Sequence, residues 1–359
     1  MITSKCLSPL EFIVNNLKKI ERLIKESIEK IELNLSDLTI LTETGSNNFV
    51  LTSLIASFAN ASQVFAVTRD SSYGMSSDIV EYSKSIANGF NLNNIDFNSE
   101  LPESFASKSD IVTNLGFVRP ISSSFIKKLP KHAVISLMWE PWEFRHEDID
   151  IRSAKNNEIL VLGTKETDPR LRTFEYVGIL AVKLLLEKDI EIIDSNILIV
   201  GTNPFAEHIG NVLSSLKANC SIVKPNNEEP LSLETLNFKK CDAIVVAENR
   251  YPLEIIGNKS GSISPVELKD NAIELIHICG NIDEQALSSA NVSKHPSNSA
   301  GFGYMTKTTD YVGPKPLIDL HCAGLRVGEV SVRERIEGKS IEIALKKAMD
   351  TGLCLPLEI

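Results

Sequence analysis

Residues 8–33 set Leu10, Ile13, Leu17, Ile20, Leu23, Ile24 and Ile28 among lysines and glutamates. That spacing follows one face of an α-helix, so the chain is expected to open on an amphipathic helix. Beyond it, short apolar runs at 38–42, 64–68, 111–113 and 133–137 alternate with stretches of helical period. Such alternation predicts strands of a parallel sheet joined through helices. A helix at 172–187 follows, with Val177, Leu180, Ala181, Leu184 and Leu185 as its apolar stripe, and a second set of strands is expected at 196–200, 221–223, 243–246 and 274–278. From Gly324 the pattern is helical again, with Ile341, Ile343, Ala344 and Leu345 ahead of Lys346 and Lys347. Two α/β units in series, joined near 163–170, are the resulting expectation.

Length supports two cores, since one hydrophobic core rarely grows past roughly 250 residues and this chain has 359. A formal net charge of -10 opposes a nucleic-acid backbone, and no basic cluster interleaved with aromatics offsets it. The longest apolar runs fall short of the roughly 20 residues a bilayer requires, and no signal-peptide pattern opens the chain, so a soluble, cytoplasmic protein with no membrane partner is expected. Six cysteines are scattered singly with no metal-ligand spacing, and no acidic or histidine motif has a metal's geometry, so no metal is expected.

The most specific local pattern is Ser195-Asn-Ile-Leu-Ile-Val-Gly201, an apolar strand ending in glycine, followed by Thr202, Asn203, Pro204, Phe205 and Ala206 at the start of a helical period. This reads as the first β-turn-α of a Rossmann unit. Asn203 suits an N-cap, and Pro204 the first helical position. The helix start would then favour an anion above Gly201. Against the fingerprint G-x-G-x-x-G/A, the first glycine is intact, Asn203 replaces the second, and Ala206 is a permitted third. Both a nucleotide-binding turn and a purely structural βα unit remain open. At the end of the next strand, where an acidic residue would meet the ribose of NAD, stands Lys224. It favours a 2′-phosphate, hence NADP over NAD, unless it is simply a solvated strand-end charge.

Other strand ends carry chemistry. Thr42-Glu43-Thr44-Gly45-Ser46-Asn47-Asn48 and Thr68-Arg69-Asp70 follow the first two strands, at the edge where open α/β sheets bind ligands. Glu140, Trp142, Glu143 and Arg145 lie with Trp139 in a second cluster, which reads as the wall of a site for an amine-bearing or uncharged group stacked on an indole. Arg250 follows the third strand of the second unit, while Lys165, Glu166 and Arg170 sit at the expected joint.

The order of these segments resembles the D-isomer-specific 2-hydroxyacid dehydrogenases, the formate and glycerate dehydrogenase group, over about 110–335. Glu147-Asp-Ile-Asp-Ile151 with Glu158-Ile-Leu-Val-Leu-Gly-Thr164, Ile276-His-Ile-Cys-Gly-Asn-Ile-Asp-Glu-Gln-Ala-Leu287 and Leu320-His-Cys-Ala-Gly324 carry the likeness. The resemblance implies two Rossmann-like domains with parallel sheets. A discontinuous, flavodoxin-like outer domain would span 1–162 and 324–359, and an inner nucleotide-binding domain 163–323. It further implies a homodimer, a small-molecule substrate and NADP or NAD as coenzyme. His321 falls at the family's general acid/base. The family's substrate-gripping arginine is missing, since Cys279-Gly280 stands in its place, and the family's partner glutamate has no counterpart; Arg250 is the candidate replacement for the arginine. An NAD(P)-dependent oxidoreductase for a small carbonyl, hydroxyl or imine metabolite is one expectation, and a catalytically degenerate nucleotide- or metabolite-binding protein on the same fold is the other.

Overall fold

The computed structural model describes residues 16–226, 231–233, 236 and 241–357. Leu10 and Ile13 of the expected first helix, and Cys6, lie outside them. The chain divides into two compact units, Met1–Leu171 with Pro314–Ile359, and Arg172–Gly313. The second division falls at 313/314 and not at 323/324, because one helix, Lys315–Ile336, runs unbroken through Gly324.

In the first unit the strands are β1 (Thr39–Glu43), β2 (Gln63–Val67), β3 (Ile95–Asn98), β4 (Ile111–Thr113), β5 (Val134–Ser136) and β6 (Leu160–Thr164). They pair in parallel in the order β3-β2-β1-β4-β5-β6, and the strand Cys354–Pro356 adds antiparallel to β6. This is the doubly wound order of a Rossmann sheet, with its reversal between β1 and β4, not the flavodoxin order expected for this unit. Residues of β4 and β5 are all buried, as a parallel sheet covered on both faces requires.

One face is covered by the helices Leu17–Ile31, Leu51–Phe58 and Lys315–Ile336. The first turns Ile20, Leu23, Ile24 and Ile31 inward, and the third can lie close on the strands because of two glycines. A Cβ on Gly328 would come within 2.9 Å of Ile111 Cγ2, and one on Gly324 within 2.4 Å of Met138 Cε. The other face buries Leu41, Phe65, Val112, Ile121, Ile135 and Ile159.

In the second unit β7 (Asn196–Val200), β8 (Asn219–Val223), β9 (Ala243–Ala247), β10 (Glu254–Ile256), β11 (Glu274–Cys279), β12 (Asn281–Ile282) and β13 (Lys294–His295) follow. The main sheet is parallel in the order β13-β11-β9-β7-β8, and β10 pairs with β12 apart from it. Its order reverses between β7 and β9, and β9 is buried throughout. The helices Thr173–Leu186 and Phe205–Ser215 pack together, with Val212 filling the place a side chain on Gly178 would take. The expected fold class, two Rossmann-like α/β units, is what the chain adopts. Among the described residues no helix is long and apolar enough to cross a membrane, and no group of three or more His, Cys, Asp and Glu is placed to hold a metal.

Candidate functional site

The carboxyl ends of the strands gather the polar side chains in each unit. In the second, β7 runs into Gly201, where a Cβ would stand 2.2 Å from the Ala247 carbonyl oxygen at the end of β9. Only glycine lets the turn pass so close to the neighbouring strand. Thr202 is buried, and its hydroxyl donates to Glu248 Oε1 at 3.0 Å, with Asn249 Oδ1 at 3.2 Å. Glu248 Oε1 also accepts from the Arg250 and Tyr251 amides at 2.8 and 2.9 Å, while its Oε2 is buried and has no partner among the described residues.

Asn203 does not cap the helix as expected. Pro204 takes the N-cap position, and the Asn203 amide donates to Glu207 Oε2 at 2.7 Å. Glu207 lies one turn along the helix, within reach of that amide. Phe205 and Ala206 are buried and anchor the helix, the Phe205 ring lying 5.8 Å from that of Phe174. Lys224 is exposed just past β8, next to β7, and Arg250 is exposed in the loop after β9.

In the first unit Glu43 ends β1 and is 5% exposed. Its Oε2 accepts from the Phe117 amide at 3.0 Å. Burial lifts the carboxyl to about 7 against that hydrogen bond and the charges of Arg119 and Arg69. Beyond β5, a short 3-10 helix, Pro141–Glu143, carries Trp142 and Glu143; the side chain of Trp142 lies outside what is described. Burial lifts Glu143 to about 7, opposed by its hydrogen bond to Glu166, and burial together with Glu143 and Glu140 holds Glu166 well above the ordinary carboxyl range. Glu140 Oε1 in turn accepts from the Glu166 amide at 3.1 Å. Two carboxyls in contact with each other keep a proton between them.

Arg145 lies 4.0 Å from Asp148 Oδ2 and 6.0 Å from the ring centre of Trp139, and Arg119 sits 5.0 Å from that ring. The Trp139 indole therefore already faces two guanidinium groups of the chain itself. Arg119 and Asn114 went unread in the sequence. The signal was Thr113-Asn114-Leu115-Gly116, a polar residue and a glycine at a strand end like those after β1.

His321 lies within the helix Lys315–Ile336, 3% exposed, with Nε2 unpartnered among the described residues. Burial pushes it down to about 4 against a hydrogen bond with the backbone of Thr52, so it is neutral at neutral pH. It belongs to the first unit, whereas Gly201, Lys224 and Arg250 belong to the second. Of the expected joint residues, Arg170 is tied to Asp168 at 2.8 and 2.9 Å and to the Thr351 carbonyl at 2.8 Å.

No family model and no curated protein matches the sequence. Solved structures do match. A dipicolinate synthase from Bacillus subtilis superposes with a TM-score of 0.52 at 11% identity, covering 85% of this chain and 99% of that one. The chain has that fold. Also similar are a dipicolinate synthase from Bacillus halodurans, at TM-score 0.48, 11% identity and coverage of 80% and 96%, and a putative D-3-phosphoglycerate dehydrogenase from Ralstonia solanacearum, at 0.47, 10%, and 87% and 98%. At such identities the likeness is one of fold.

Proposed function

We propose that the chain is a nicotinamide-dinucleotide-dependent oxidoreductase acting on a small carbonyl, hydroxyl or imine metabolite. The observation that carries this reading is the turn at Gly201, pressed against Ala247 where the order of the second sheet reverses. It brings the backbone and the start of the helix Phe205–Ser215 to the place where such sheets receive a diphosphate. The residues fit the coenzyme there. Gly201, Thr202 and Asn203 would meet the diphosphate, with Pro204, Phe205 and Ala206 fixing the helix behind them. Lys224, exposed just past β8 beside β7, is the residue we propose would meet a 2′-phosphate, which would favour NADP. A bound coenzyme supplies hydride transfer; the protein supplies position and electrostatics.

Arg250 remains the candidate for orienting substrate from the second unit, and Glu43, Trp142, Glu143 and Arg145 the candidates from the first. His321 is not carried forward as the proton-exchanging group, because burial within a helix keeps it neutral and away from solvent.

A second reading, a metabolite-binding protein without redox chemistry, is favoured by Glu207 in the first helical turn and by the buried Glu248 under Thr202, since both place carboxylates near the proposed diphosphate. Calorimetric titration with NADPH and NADH separates the two. Binding of either, tighter for NADPH, is expected. Equal affinity removes the argument from Lys224, and no heat from either at millimolar supply leaves the second reading.

A further inference from the structure

The second unit leaves Tyr251, Phe302 and Tyr304 exposed in the loops that follow β9 and β13. Large apolar side chains exposed together, and not singly, mark surfaces that bind. Phe302 stands at the tip of a turn. The Tyr304 amide donates to the Gly301 carbonyl at 3.1 Å, closing four residues around Phe302 and Gly303. Gly303 has a φ of 78°, the left-handed third position that a turn of this kind fills with glycine. The position before it carries a phenyl ring, 39% exposed, where proline or a polar side chain would serve the turn as well.

This turn is carried on a fixed base. Lys294 donates to the carbonyls of Pro296 and Ser297 at 3.2 Å each and to that of Asn298 at 2.6 Å. The Asn298 side chain donates in turn to the Thr306 carbonyl, which closes the neck of the loop. Met305 bridges to Cys279, and the Thr306 amide donates to the Ile278 carbonyl at 2.8 Å, so the neck is joined to the last residues of β11. Farther along, the Tyr311 hydroxyl donates to Glu187 Oε1 at 3.0 Å, and the Tyr311 ring lies 3.8 Å from Lys183 Nζ. Gly301 to Tyr304 are all exposed beyond that frame.

The third ring comes to the same place. Asn281, two residues past Cys279, donates through Nδ2 to the carbonyl of Pro252 at 3.1 Å, next to Tyr251. Between them a Cβ on Gly280 would stand 3.0 Å from the Glu248 carbonyl oxygen. Consecutive Cα atoms are about 3.8 Å apart, so the two loops are attached to the end of β11 within about 8 Å of each other. Tyr251 and Tyr304, each 51% exposed, are one residue from those attachments.

The sheet order β13-β11-β9-β7-β8 puts Lys224, after β8, on one side of the Gly201 turn and the ends of β9 and β11 on the other. A coenzyme with its diphosphate on that turn and its 2′-phosphate at Lys224 extends its nicotinamide half toward these rings. A ring-bearing substrate would approach the same end.

We propose that Tyr251, Phe302 and Tyr304 form a stacking site for a planar aromatic ring, brought either by the coenzyme or by the substrate. For the coenzyme, the site rests on the nucleotide reading of the Gly201 turn; for a substrate it does not. Aromatic side chains attract a flat ring beyond what burial of its area gives, so planarity is what the site selects.

Full-length protein and the variants Phe302→Ala, Phe302→Leu and Tyr304→Ala are titrated by calorimetry. The ligands are NADPH; 2′-phospho-ADP-ribose, which lacks the nicotinamide ring; benzoate; and cyclohexanecarboxylate, which resembles benzoate in charge and size but is not flat. The substituted side chains are exposed, and Phe302→Leu keeps apolar bulk while removing the ring. A coenzyme ring at the site predicts that the variants bind NADPH about fivefold more weakly and 2′-phospho-ADP-ribose as the parent does. A substrate ring predicts unchanged NADPH binding and a parental preference for benzoate over cyclohexanecarboxylate that the variants lose. Unchanged NADPH affinity without that preference overturns the stacking site and leaves the reading of the Gly201 turn standing. So does a Phe302→Leu variant that binds as the parent does. No heat from NADPH in the parent strikes the Gly201 reading, and benzoate then decides: a preference lost in the variants upholds the site, and none overturns it.

Discussion

A buried ionisable side chain is a statement about stability as well as chemistry, and the first unit holds such groups of opposite sign. Glu43 is lifted from 4.5 to about 7 by burial. The folded protein thus keeps a proton that the unfolded chain releases above about pH 4.5. The stability this contributes is present in full below the unfolded value and lost as pH rises through 7. A shift of that size is on the order of 3 kcal/mol. Glu143 and Glu166 act in the same direction.

His321 is pushed from 6.5 to about 4, so its contribution is present above 6.5 and lost as pH falls through 4. Guanidinium unfolding followed by tryptophan fluorescence across pH 4 to 8 is therefore expected to show stability falling as pH rises from about 4.5 to 7, where the carboxyls outnumber the histidine, with a shallower loss below about 4.5, where only the histidine still titrates. Glu43→Gln should flatten the alkaline limb and His321→Leu the acid one. A profile unmoved by Glu43→Gln would show that the carboxyl is ionised in the folded state throughout.

Among the elements, strands were legible wherever burial on both faces left an apolar run. β1, β2, β4 and β5 fall within a residue or so of the expected positions, as do β7, β9 and β11. β3 was not, because Ile95-Asp-Phe-Asn98 sits at the sheet edge and buries only Phe97. The helix Lys315–Ile336 was expected only from Gly324 onward, where the helical pattern was read to begin. Within the fold His321 to Gly324 lie in one buried stretch with Ile318 and Leu325, and Gly324 and Gly328 are points of contact with the sheet. Site residues followed the same rule. Glu43 and Glu143 were legible because polar residues after a strand stand out. The meeting of Glu43 with Arg119 and of Glu143 with Glu166 depends on strand order, which periodicity does not encode.

The two glycines differ in a testable way. At Gly328 a side chain meets Ile111 Cγ2 and Ser136 Cβ, atoms fixed in β4 and β5; at Gly324 it meets the mobile end of Met138. Gly328→Leu is expected to cost about 3 kcal/mol or more through overpacking, and Gly324→Ala markedly less because Met138 can move. Equal costs in denaturant titration would mean that the helix shifts as a body.

At the scale of the whole molecule, the two units carry different reporters. Both tryptophans belong to the first, so tryptophan fluorescence follows its unfolding, whereas far-UV circular dichroism follows helices of both. The second unit is one continuous segment, Arg172–Gly313, but the first is closed only when Pro314–Ile359 returns to lay the helix Lys315–Ile336 against β4, β5 and β6. A ligand that binds the native state alone stabilises it by about 2.7 kcal/mol at a hundred times its Kd. If the coenzyme is held by the Gly201 turn alone, saturating NADPH should raise the circular-dichroism transition while leaving the tryptophan transition in place. A tryptophan transition that rises with NADPH as much as the circular-dichroism one would show that the units unfold together. If NADPH moved only the tryptophan transition, the coenzyme would belong to the first unit, whose sheet has the Rossmann order in full, and the assignment of the Gly201 turn would be wrong.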